Sequence, residues 1–128
     1  MNFFKRKPEV ENLSTSSKIN WKELTDIKSL ETAIAASFQQ PVAIFKHSTR
    51  CAISRFALKQ FENEFDSQSG EMDLYFLDLL AHRDISDAIA AKLQVQHQSP
   101  QLILVKAGKA VYHVSHSDID AAKLQASV

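Results

Sequence analysis

Cysteine is almost absent from this chain: Cys51 is the only one among 128 residues. No internal disulfide can form, and a lone thiol fits a reducing compartment better than an oxidising one, so a cytoplasmic location is expected. A zinc site is not expected either. Structural zinc takes four protein ligands, only one thiol exists, and His82, His113 and His116 lack ligand spacing with one another or with Cys51. Net charge is missing as well, because fifteen basic and fifteen acidic side chains cancel. The strong positive field that nucleic acid or an anionic membrane demands is therefore lacking, and neither is expected as a partner. No stretch approaches the ~20 apolar residues of a membrane span. The basic cluster Lys5-Arg6-Lys7-Pro8 is not followed by the apolar segment of a secretion signal.

What the chain does have is alternation of short apolar runs with helical periodicity. Residues 1–18 are polar, proline-interrupted and without period, which reads as a flexible arm ahead of one domain over residues 19–128. In that domain Asn20 to Leu24 forms a first short strand anchored by Trp21, and Ile27, Leu30, Ile34 and Phe38 recur at helical spacing, with Thr25 or Asp26 as cap. Pro41 to Phe45 is continuously apolar, as in a parallel strand covered on both faces. Ile53, Phe56, Ala57 and Phe61 then share one face of a second helix. After the polar loop Asp66 to Gly70, Asp73 to Asp78 reads as a third strand, and a helix opening at Asp84 carries Ile85, Ala88, Ile89 and Leu93. Gln101 to Lys106 and Ala110 to Ser115 form a hairpin turning at Gly108, and Ser117 caps a last helix. The resulting order is βαβαβαββα, an α/β fold with helices flanking a central mixed sheet.

Cys51 stands where the second strand gives way to the second helix. In the first turn of a helix, backbone N–H groups lack intrahelical partners and favour an anion. Cysteines at such places have pKa values lowered from about 8.5 into the range ~3.5 to 7.5, so Cys51 is a candidate nucleophile. Ser54 follows three residues later, at the position where a second thiol would resolve a mixed disulfide, and it has no sulfur.

The segment His47-Ser48-Thr49-Arg50-Cys51-Ala52-Ile53-Ser54, followed far downstream by His97-Gln98-Ser99-Pro100-Gln101, resembles the YtxJ-like monothiol bacilliredoxins, which have the thioredoxin-like fold. The likeness runs from Trp21 to the end of the chain. It departs from the usual Thr-Cys-Pro-Ile-Ser core in that Arg50 separates Thr49 from Cys51 and Ala52 replaces proline. Alanine gives up the preset backbone angle of proline at a first helical position but remains the best helix former.

The resemblance implies a monothiol disulfide oxidoreductase in which Cys51 accepts bacillithiol from mixed disulfides on client proteins. Ser54 is placed beside the sulfur; Thr49 and the amides of Ala52 and Ile53 are placed as donors to it. A further thiol, supplied by bacillithiol or a partner reductase, completes the cycle, and no bound cofactor is implied. Arg50 is a candidate partner for a substrate carboxylate, and His47 and His97 are candidates for tuning the thiol. Ser99-Pro100 is implied to be a cis peptide facing Cys51, with the backbone of Ser99 offered as a strand edge to the substrate. Two other readings stay open. One is a glutaredoxin-like monothiol enzyme that uses another small thiol or carries an iron–sulfur cluster. The other is a thioredoxin-fold adaptor in which Cys51 is an inert, small apolar residue.

Overall fold

In the computed structural model, residues 19–68 and 70–128 are described; the arm expected over residues 1–18 lies outside the described residues. Strand β1 (Lys22–Glu23) is followed by helix α1 (Ile27–Ala36), β2 (Val42–His47), α2 (Ala52–Glu64), β3 (Asp73–Asp78), α3 (Arg83–Leu93), β4 (Gln101–Lys106), β5 (Lys109–Ser115), a 3₁₀ turn (His116–Asp118) and α4 (Ala121–Ala126). The sheet order is β1-β3-β2-β4-β5. Strands β1 and β2 both run parallel to β3, whereas β4 is antiparallel to β2 and to β5. The sheet is therefore mixed, and the expected α/β architecture is present.

Strand β2 is fully covered, and alternation along it sends Val42 and Ile44 to one face and Ala43 and Phe45 to the other. The first pair joins Leu30, Ile85, Ile89 and Leu77 beneath α1 and α3. The second joins Phe61, Phe65, Leu102 and Leu124 beneath α2 and α4. Trp21 closes this second layer: its ring lies 6.0 Å from Phe45 and 5.9 Å from Phe61, and its Nε1 donates to Glu62 at 2.7 Å.

Several helix faces differ from the sequence expectation. Phe38 falls beyond α1 and is 64% exposed, and Ile53 and Phe56 of α2 are 57% and 71% exposed. Ala33 of α1 and Ser54 of α2 take the inward positions instead. Asp26 is the cap of α1, its carboxylate accepting from Ser29 N–H at 2.7 Å. The N-cap of α3 is His82, two residues before Asp84, the expected cap, which instead lies within the first turn. Ser117 belongs to the 3₁₀ turn, and Asp120 caps α4 by accepting from Lys123 N–H. At the β4–β5 turn both Ala107 and Gly108 have positive φ, 51° and 79°. Their N–H groups donate to the backbone oxygen and the hydroxyl of Ser37, each at 2.9 Å, which ties the turn to the end of α1.

Candidate active site

The carboxyl ends of the parallel strands, the amino end of β4 and the end of β5 all meet at one edge of the sheet, since His47 pairs with Asp78, Lys46 with Gln101, and Gln101 with Ser115. Ligand sites of open α/β sheets form outside such strand ends. Here the connections at residues 48–51, 79–82, 96–100 and 116–118 converge.

Cys51 is the N-cap of α2, with extended backbone and a half-buried side chain. The helix begins at Ala52, so Cys51 precedes the first turn rather than lying within it. Its sulfur receives no cap hydrogen bond; the amides of Ala52 and Ile53, expected as donors, are not bonded to it. Its own N–H donates to Ser48 O at 3.2 Å, and its carbonyl accepts from Arg55 N at 3.0 Å. Arg55 also braces the turn through its guanidinium, which donates to Thr49 O at 3.1 Å.

Ser54 is completely buried beneath this turn. Its hydroxyl accepts from Ser48 N–H at 3.0 Å and faces His47 Nδ1 at 2.7 Å. The hydroxyl, with one proton and two lone pairs, satisfies the Ser48 amide and the His47 Nδ1 at once, donating to Nδ1 or accepting from it according to the tautomer of the ring. Ser54 and His47 thus bond each other, and neither bonds the sulfur. Burial, with Arg55 adding to it against Asp78, holds the His47 imidazole below its ordinary value. A neutral ring also suits its contact with Phe76, 5.4 Å between centroids.

The Ser99–Pro100 peptide is cis. Pro100 is buried and its carbonyl accepts from His116 N–H at 2.9 Å. Ser99 Oγ is shielded from solvent without a hydrogen-bond partner. His97 does not bond Cys51; its Nδ1 lies 2.8 Å from Lys46 Nζ. Sequence reasoning missed Lys46, a fully buried charge, because a lysine after an apolar run reads as the point where a strand surfaces.

Two depressions are lined by the chain neighbours of Cys51, one by the residues that follow it and one by those that precede it. An apolar groove of about 380 Å3 is lined by Ala52, Ile53, Phe56, Ala57, His116 and Ile119, among others. A polar cleft of about 430 Å3 lies between Thr49, Arg50, Asp78, Leu80, Ala81 and Arg83. Arg50 therefore stands at a cleft rather than alone, with Arg83 of α3 as a second guanidinium that sequence reasoning did not single out. No group of three or more potential metal ligands occurs among the described residues, and no described helix is long and apolar enough to cross a membrane.

The model of the family "Monothiol bacilliredoxin BrxC" matches residues 22–124. The chain belongs to the monothiol bacilliredoxin family. Among solved structures, one described only as an inferred oxidoreductase with a thioredoxin fold is 34% identical, with a TM-score of 0.71 over 82% of this chain and 90% of that one. Thioredoxins from Malassezia sympodialis (19% identity, TM-score 0.66, 87% of this chain and 90% of that one) and Fasciola hepatica (21%, 0.60, 83% and 94%) share the fold. In this bacilliredoxin, then, the thioredoxin-like scaffold of a thiol oxidoreductase places its single thiol, Cys51, at the cap of α2, with no second cysteine in the chain.

Proposed function

We propose that the protein removes a small thiol, bacillithiol by family, from mixed disulfides on client proteins. The observation that carries this reading is the pairing of a lone sulfur at the α2 cap with a serine, three residues on, whose hydroxyl is bound up in the turn. Intramolecular resolution has no second sulfur, so the chemistry stops at an adduct. In the first step the Cys51 thiolate attacks the small-thiol sulfur of client–S–S–R; a Cys51–S–S–R bond forms, the client S–S bond breaks, and the client leaves as thiolate. In the second, a free R–S⁻ attacks the R sulfur on the enzyme, giving R–S–S–R and returning the Cys51 thiolate. Two protein-bound sulfurs and two small thiols balance across the cycle, and no net electrons are left over.

The surroundings support both halves of such a substrate. Neither Arg50 nor Arg83 forms an ion pair among the described residues, and guanidinium forks suit the carboxylates of a small anionic thiol, with Asp78 in the same cleft setting a limit on how much negative charge it accepts. The apolar groove suits a client side chain. The Ser99 backbone, beside the cis peptide to Pro100, suits pairing with an extended substrate. Intact mass of the protein after incubation with a bacillithiol-modified client should show one bacillithiol added, removed again by excess free bacillithiol. A mass unchanged while the client stays modified rejects the reading; transfer from glutathione- but not bacillithiol-modified client reassigns the thiol.

A further inference from the structure

Lys46 is the residue the redox chemistry leaves unused. It sits between Phe45 and His47 on β2, and alternation turns it toward α1 and α3, away from Cys51's helix. The other β2 residues on that face, Val42 and Ile44, are core hydrophobes, and Lys46 itself is 0% exposed. A core needs no ammonium there, and burying one is costly unless hydrogen bonds replace water. The bonds that do so all lead to one place. Nζ lies 2.8 Å from His97 Nδ1 and donates to Gln101 Oε1 at 3.1 Å, and the Gln101 amide donates onward to Gln96 O at 3.0 Å. Lys46 and Gln101 are cross-strand partners, so register places them together. The segment between Gln96 and Ser99 belongs to no helix or strand. It is gripped from below by this chain of bonds.

We propose that Lys46 is a positioning residue of the redox site: through His97 and Gln101 it fixes the Gln96–Ser99 segment as the rigid backbone edge on which the disulfide substrate lies. The inference rests on the reading that substrate pairs with Ser99. An ammonium has only donors, so His97 Nδ1 must be the acceptor and its ring neutral. Protonating His97 removes the acceptor and sets two cations in contact, which releases the segment. The groups facing this ring are Lys46 from β2, Gln101 from β4 and Ser86, Asp87 and Arg83 from α3; Ser86 Oγ stands 3.4 Å from the same nitrogen. Burial, Lys46 and Arg83 oppose the imidazolium and Asp87 favours it, with the balance toward the neutral ring.

The test measures KM and kcat for de-thiolation of a mixed-disulfide client, the alkylation rate of Cys51 by iodoacetamide, and amide hydrogen exchange over residues 96–99. Lys46→Met should raise KM about tenfold or more, leave alkylation within about twofold, and speed exchange of these amides. His97→Leu should do the same, and His97→Asn, which keeps an acceptor near the Nδ1 position, should recover most of the loss at neutral pH. In the wild type KM should climb as pH falls below about 6.5, and in His97→Asn it should not. An unchanged KM and unchanged exchange in both Lys46→Met and His97→Leu overturns the proposal, as does alkylation that falls in step with kcat/KM. Should Lys46→Met fail to fold, the His97 pair decides, because His97 is not one of the buried core residues. If the wild type moves no small thiol at all, the reading of function fails, and hydrogen exchange alone still accepts or rejects the grip of Lys46 on the segment.

Discussion

The two faces of the sheet end differently at the same strand. Beneath α2 and α4 the layer is aromatic, built on Trp21, Phe45, Phe61 and Phe65, and it finishes at the site in His47 bonded to Ser54. Beneath α1 and α3 it is aliphatic, built on Leu30, Ile44, Ile85 and Ile89, and it finishes in Lys46 bonded to His97 and Gln101. Consecutive residues of β2 thus send one polar group through each face. The first organises the turn that presents the sulfur, the second the segment that carries Ser99. Both histidines are kept below their ordinary values, chiefly by burial, so both networks are built for neutral rings.

The comparison breaks most completely at the sulfur. Cys51→Ser should abolish transfer of small thiols altogether while leaving the thermal transition close to that of the wild type, because a half-buried side chain without a hydrogen bond at the cap is exchanged for a good capping residue. Next in size is the aromatic layer. Phe61→Ala should cost about 3–5 kcal/mol in chemical denaturation, since its fully buried ring touches Trp21, Phe45 and Phe65.

The aliphatic face is sharpened by pH. Burial lowers Lys46 from 10.5 to about 8, with Asp87 opposing. Below about 8 the folded protein must hold the ammonium; above 10.5 both folded and unfolded lysine are neutral. Stability of the wild type relative to Lys46→Met should therefore rise between these values, by about 3 kcal/mol in all. A difference that stays flat would mean that the ammonium is not carrying a burial cost. Ser54→Ala comes next at about 1–3 kcal/mol, because it strands the Ser48 N–H and His47 Nδ1 together. The smallest effect belongs to Phe56→Ser. With 71% of this residue exposed, stability should change by no more than about 0.5 kcal/mol, while KM for a protein substrate rises a few-fold and KM for a small disulfide does not.

The strands and their order were legible because each is a short apolar run, and buried parallel strands announce themselves that way. The cysteine at a strand-to-helix junction with serine three residues on was equally plain. Helix faces were read less well near the site. Ile53 and Phe56 fit a core-facing period, yet they lie on the part of α2 that flanks the cap, beyond the end of the sheet, where they line an open groove with His116 and Ile119; the inward place goes to Ser54, whose polarity hid it. The roles given to the two histidines came from their closeness in the chain to Cys51 and Pro100. What decides their bonds is which face of β2 each meets, and the partners, Ser54 and Lys46, are themselves polar residues in positions that pattern assigns to hydrophobes. Arg83 joins Arg50 only because two strand ends lie side by side, a neighbourhood that spacing along the chain does not express.

Hairpin tips are the usual places to graft a tag, a probe or a permuted terminus, and the tip at Ala107 and Gly108 is a poor one. Both of its amides are spent on Ser37, seventy residues back, and a side chain grown on Gly108 would start 2.9 Å from the ring of Phe38. An insertion there would unpick the end of α1 as well as the turn, so labels meant to leave the thiol chemistry intact belong elsewhere on the surface.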